Sequence, residues 1–142
     1  MATDTSTGYS GKPAWKKLGL DVKHRVLVRG APSDYAKLVG LRASDLTLAA
    51  PRGAFDIAHV FATSAITLKR EVETLAKRLP GAGTIWVSWP KKSAKVATDI
   101  TEDTVRSIAL PLGLVDVKVC AIDATWSGLK LVWRRENRAG KG

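Results

Sequence analysis

Residues 55 to 89 constrain the fold more than any other stretch of this chain. Phe55 to Ala62 (FDIAHVFA) is a nearly continuous apolar run, as expected of a strand covered on both faces. Ser64 then caps a helix in which Leu68, Val72, Leu75 and Leu79 recur at spacings of four, three and four. Pro80-Gly81 stops that helix, and Thr84 to Trp89 (TIWVSW) reads as the next strand. Two strands joined by a crossing helix pair in parallel, and a parallel sheet needs cover on both faces.

The flanking sequence extends the pattern. Pro13 opens a short helix carrying Trp15 and Leu18, which Gly19 ends. Arg25 to Arg29 reads as a strand, and Ser33 or Asp34 can cap a short helix through Val39. Leu46 to Ala49 is a weaker strand broken by Pro51. Thr101 caps a helix with Glu102 and Asp103 at its positive end and Val105, Ile108, Ala109 and Leu112 on its apolar face. Leu114 to Ile122 and Leu129 to Arg134 are strands separated by a turn too short for anything but an antiparallel pair. The expectation is an α/β sandwich with a mostly parallel sheet: an arm over 1–11, one domain over 12–135 and a flexible basic tail over 136–142.

Ligands in such sheets bind beyond the carboxyl ends of the strands. The stretch Trp86-Val87-Ser88-Trp89-Pro90-Lys91-Lys92 runs from the sheet interior to that edge. Strand alternation sends Trp86 and Ser88 to one face and Ile85, Val87 and Trp89 to the other. At the strand's end, Trp89 is expected to be half exposed beside Lys91 and Lys92, able to stack a base and hold its phosphate; the competing reading is a ring that seals the sheet edge. Trp126 is expected in the turn of the final hairpin.

Charge adds a partner class. The net charge is +10, from 23 Lys and Arg against 13 Asp and Glu. Residues 1–30 hold six basic and two acidic side chains, 84–98 three and none, and 130–142 five and one. If these stretches meet, Lys91, Lys92, Lys95, Arg134 and Arg135 form a nucleic-acid-binding surface; otherwise the charge keeps the protein soluble. No apolar run is long enough to cross a bilayer, the N-terminus has no apolar signal-peptide core, and the single cysteine, Cys120, excludes an internal disulfide. A cytoplasmic protein without a membrane partner is expected.

Several motifs fail on inspection. GYSGKP has two residues between Gly8 and Gly11, Pro13 where a phosphate loop needs a hydroxyl, and no strand before it. It can instead fold over the sheet and bring Lys12 to the ligand edge. Gly81-Ala82-Gly83 precedes a strand and is a turn. His24 and His59 have no companions at metal-ligand spacing, so no metal is expected. His59 and Cys120 read as core side chains, and neither Cys120 nor Ser88 has an identifiable base, so no catalytic residue is assigned.

FDIAHVFATSAITLKREVETLAKRLPGAGTIWVSWP resembles the middle of a class I methyltransferase, and LVDVKVCAIDATWSGLKLVW resembles that fold's closing hairpin. The resemblance implies a Rossmann-like sheet in the order 2-1-3-4-6-5 with its last strand antiparallel. GYSGKP, WVSWPKK, DITED, ALPLGLVDVKVCAID and WSGLKLV also resemble bacterial domain-of-unknown-function family 3052, across residues 8 to 134. Class I methyltransferases hold S-adenosylmethionine on a glycine-rich loop after the first strand and an acid after the second. Here the first loop (VRGAPSDYAKL) has only Gly30, and the second strand ends LTLAAPRG with no acid. Asp34 can approach a ribose or amine from that loop, though capping explains it as well. The expectation is a non-catalytic domain with no cofactor, binding a small anionic or nucleotide-like ligand through Lys12, Gly30, Ser64, Trp89, Lys91, Lys92 and Asp99. An atypical S-adenosylmethionine-dependent methyltransferase is the enzymatic alternative.

Overall fold

The computed structural model describes residues 12–32 and 34–139. In chain order the helices are α1 (Ala14–Leu18), α2 (Tyr35–Val39), α3 (Ala65–Ala76) and α4 (Glu102–Ala109). The strands are β1 (Arg25–Arg29), β2 (Thr47–Leu48), β3 (Ile57–Phe61), β4 (Thr84–Pro90), β5 (Leu114–Ala121) and β6 (Trp126–Trp133). They form one sheet in the order β2-β1-β3-β4-β6-β5, as the resemblance implies. The first four pair in parallel, and β6 is antiparallel to both β4 and β5.

Two apolar clusters fill the sheet's faces. On one, Leu68, Val72 and Leu75 of α3 and Val105 and Ala109 of α4 pack on Ala58, Val60, Ile85, Val87 and Leu129. Each α3 side chain named is fully buried, worth roughly 1.5–3 kcal/mol apiece. The helix starts where expected, with Thr67 N–H donating to Ser64 Oγ (3.2 Å). α4 begins with reciprocal bonds between Thr101 and Thr104, at 3.1 and 3.2 Å. On the other face, Ala14 and Leu18 of α1 and Tyr35 and Val39 of α2 cover Val26, Ile57, Phe61 and Trp86. The Trp86 indole donates to Leu18 O (3.1 Å), tying α1 to β4.

β6 begins three residues earlier than its sequence suggests, at Trp126 rather than Leu129. Ser127 and Gly128 look like turn residues, yet they pair with Trp89 and Ser88. Gly128 suits the strand because a Cβ there would lie 2.8 Å from Ile122 Cδ1. The turn sits at 122–125, where Asp123 Oδ1 accepts from Thr125 N–H and Trp126 N–H, both at 2.8 Å. Trp126 is thus a strand residue, half-buried edge-on against Phe61.

Beyond β6, where a flexible tail was expected from 136, Arg135–Asn137 forms a short turn. Asn137 Nδ2 donates to Gly113 O (3.1 Å) and Arg138 Nε to Trp133 O (3.2 Å). The expected arm over 1–11 and residues 140–142 of the tail lie outside the described residues. Among the described residues no helix is long and apolar enough to cross a membrane.

Candidate functional site

The carboxyl ends of the parallel strands form one edge of the sheet, continued by the β5–β6 turn. At β1 the chain leaves through Gly30, whose φ is +75° and whose absent Cβ would sit 2.5 Å from Phe61 O. Glycine is therefore demanded by the close approach of β3's last carbonyl. Asp34 caps α2, accepting weakly from Lys37 N–H (3.5 Å), and stays exposed.

The end of β3 is strapped to the loop before α4. Thr98 Oγ1 donates to Thr63 O (2.7 Å), and Ala65 N–H donates to Asp99 Oδ1 (2.7 Å). Asp99 thus satisfies one of the free amides that begin α3, while Ser64 takes another. Asp99 Oδ2 keeps no protein partner among the described residues, so Asp34 and Asp99 both offer carboxylate oxygen at this edge.

At the end of β4, Lys91 N–H donates to Thr125 O (2.8 Å) and residues 92–94 form a single turn. A groove of about 510 Å³ opens there, lined by Pro90, Lys91, Lys92, Thr98, Thr101 and Arg106 among others. Arg106 binds Glu102 (3.0 Å), Asp103 (3.1 Å) and Asp116 (2.9 Å), so one guanidinium bridges three carboxylates and offsets part of their charge. Its bond to Asp116 is the main cause that raises the Arg106 pKa and holds the Asp116 carboxyl below its ordinary value. Lys91 and Lys92 have no carboxylate partner among the described residues, which leaves two unpaired ammonium groups at the end of β4.

Trp89 departs from expectation. It is 6% exposed and belongs to the core with Ile100 and Val105, so only a margin of the ring reaches the groove that it lines beside Lys91. Strand parity placed it on the correct face, but the loop carrying Ile100 covers the strand end. Lys12 is exposed just ahead of α1.

The nucleic-acid constellation divides. Lys91, Lys92 and Lys95 lie at the carboxyl edge, whereas Arg134 and Arg135 follow β6 at the opposite edge. Seven steps of β6 separate the two ends, roughly 23 Å at the usual rise of a strand. These basic stretches do not form one patch.

A buried polar chain escaped the sequence reading. Tyr35 Oη lies 2.7 Å from His59 Nδ1, and His59 Nε2 lies 2.7 Å from Ser88 Oγ. Ser88 therefore has a base beside it after all, but His59 and Ser88 are both 0% exposed. No substrate reaches that pair, and the chain ties α2, β3 and β4 together. Burial lowers the His59 pKa to about 3 and raises that of the Tyr35 hydroxyl. The available signal was a polar residue inside each of two apolar strands, since such groups require partners. Burial also raises the Cys120 thiol's pKa, as for a small packed side chain. No cluster suited to a metal ion occurs among the described residues.

No family model and no curated protein matches the chain, so the likeness to family 3052 rests on its quoted strings alone. Solved structures do match. Magnesium protoporphyrin IX methyltransferase (ChlM) from Synechocystis, with bound S-adenosylmethionine, is 12% identical with a TM-score of 0.53, over 78% of this chain and 70% of that one. A ribosomal protein L11 methylase from Lactobacillus delbrueckii subsp. bulgaricus is 15% identical with a TM-score of 0.50, over 79% and 71%. A variant of MtNAS in complex with S-adenosylmethionine is 10% identical with a TM-score of 0.53, over 84% and 59%. Two of these three hold the cofactor, and that overturns the expectation of none, which had rested on a missing sequence motif. The chain has the class I methyltransferase fold.

Proposed function

We propose that the chain is an atypical S-adenosylmethionine-binding methyltransferase domain, with the cofactor over the carboxyl ends of β1, β2 and β3. The observation that carries the reading is the fold itself: a sheet in the order β2-β1-β3-β4-β6-β5 with β6 antiparallel, in a chain that matches structures solved with that cofactor bound. These neighbours favour the catalytic alternative over the non-catalytic one. When bound, the cofactor supplies an electrophilic methyl group on a sulfonium.

The donor set at this edge fits the cationic end of the cofactor better than its adenosine. Asp34 and Asp99 would face its ammonium and sulfonium, and Gly30 and Ser64 would line the approach. Asp99 is held rigidly because its other oxygen caps α3. No acid follows β2 to take the ribose hydroxyls, which is the sense in which the site is atypical. The neighbouring groove would receive the methyl acceptor, where the ammonium groups of Lys91 and Lys92 would meet an anionic group on it.

Thermal denaturation with S-adenosylmethionine and S-adenosylhomocysteine tests the reading. Either at a hundred times its dissociation constant adds about 2.7 kcal/mol, a shift of several degrees. Asp34→Asn and Asp99→Asn keep both helix caps but remove the charge, and each should reduce the shift. No shift with either compound would refute the proposal.

A further inference from the structure

The opposite edge of the sheet holds basic groups that the methyltransferase reading does not use. Two grooves adjoin there, about 350 and 620 Å³, sharing Ala82, Gly83, Thr84 and Lys130. Lys130 lies between them on β6. The first groove also presents His24, whose Nδ1 is buried with no hydrogen-bond partner among the described residues. The second presents Arg138, whose Nε is fixed by Trp133 O at 3.2 Å.

Lys130 sits in an unfavourable position for an isolated protein. The ladder sets it directly opposite Lys118, so both ammonium groups rise from the same face of the sheet. Like charges so placed repel, and neither lysine has a carboxylate partner among the described residues. The one carboxylate in the first groove, Asp56, turns one oxygen to Arg25, accepting from its N–H at 2.7 Å and lying 3.6 Å from its Nε, whereas the second groove has no carboxylate in its lining. A bound anion would relieve the repulsion.

We infer that this edge binds a phosphate group in the second groove, between Lys130 and Arg138, with the turn at 81–83 as floor. Lysine and guanidinium donors suit phosphate oxygens, and the second groove, about 620 Å³, falls in the range of small-ligand sites. The phosphate comes from a free nucleotide or from a nucleic-acid backbone. The site is independent of the proposed cofactor edge, and S-adenosylhomocysteine, which has no phosphate, does not compete for it.

Isothermal titration with inorganic phosphate, AMP and a single-stranded oligothymidylate decides the matter, on the wild-type chain and on Lys130→Gln, Arg138→Gln and Lys69→Gln. At least one probe binds the wild type, and its affinity falls tenfold or more in the first two variants but not in Lys69→Gln, which lies near the start of α3, toward the carboxyl edge of the sheet. AMP binding as tightly as the oligonucleotide identifies a small-molecule source; much tighter oligonucleotide binding identifies a nucleic-acid backbone. Lys130→Gln should unfold no earlier than the wild type, because it removes the repulsion from Lys118; should it fail to fold, Arg138→Gln and the charge-conserving Lys130→Arg carry the comparison. Absence of binding by all three probes, or binding that survives loss of the Lys130 charge, overturns the inference.

Discussion

Acid should destabilise this protein through one residue, His59, well above the pH at which its carboxylates protonate. The ring is fully buried between Tyr35 and Ser88, with no charged side chain bonded to it, and its pKa is lowered to about 3 from 6.5. In the unfolded chain it titrates at the ordinary value. Between about pH 6.5 and about pH 3 only the unfolded state binds this proton, so stability is complete above that window and falls as pH falls through it. Each pH unit costs ~1.4 kcal/mol, so acidification from near neutrality to about pH 5 costs ~2 kcal/mol. With a urea m-value of about 1–3 kcal/mol per molar, the unfolding midpoint should drop by ~1 M. His59→Gln removes the titrating ring while keeping an amide that can bond Ser88, at some loss of absolute stability. The assay is the urea midpoint of both proteins across this pH range; subtracting the variant's slope removes every other titrating group. Equal slopes in the two proteins would refute the reasoning, for they would mean the ring takes up protons without unfolding.

Other expectations follow from single contacts. Gly30→Ala should cost more than Gly19→Ala by thermal denaturation: both glycines have φ near +75°, worth ~1–2 kcal/mol, but only Gly30's Cβ would meet a carbonyl, at 2.5 Å. Equal losses would show that the β3 end can move aside. Trp86→Phe should cost ~1–3 kcal/mol in urea unfolding by leaving Leu18 O without its buried donor. Arg106→Gln should raise the Asp116 carboxyl toward its ordinary pKa in an NMR titration, because Arg106 is the main cause of its depression. In the wild type this carboxylate's contribution is present above its unfolded pKa and lost as pH falls through the depressed one. An unmoved Asp116 would count against the bond.

How far the sequence reaches depends on the range of the interaction. The Phe55–Trp89 unit was legible because its signals are local, a capping Ser64 and a four-three-four stripe, although α3 ends at Ala76, ahead of Leu79 and the Pro-Gly expected to stop it. The start of β6 was not, because Trp126-Ser127-Gly128 has turn-like composition and becomes strand only through pairing with β4. The facing of Trp89 followed from alternation, while its burial comes from a core that it shares with Ile100, eleven residues on in a loop without periodic signal. The register that sets Phe61 beside Ser88, and so brings His59 to Ser88 Oγ, likewise has no trace in either segment alone. Candidate-site residues were located by topology, since strand ends can be read once strands are, but Asp99's reach to Ala65 N–H crosses between loops. The basic end at Lys130 and Arg138 was seen only as charge, because the pairing of Lys118 with Lys130 depends on a register shift within β5.

The proposal that the carboxyl edge holds S-adenosylmethionine can be checked residue by residue with ¹⁵N-labelled protein and S-adenosylhomocysteine, which cannot turn over. Saturating ligand should shift the backbone amides of Gly30, Ala31, Asp34, Ser64 and Ala65 while leaving Lys130 and Arg138 in place. An unchanged spectrum, or shifts confined to the edge at Lys130, would contradict it.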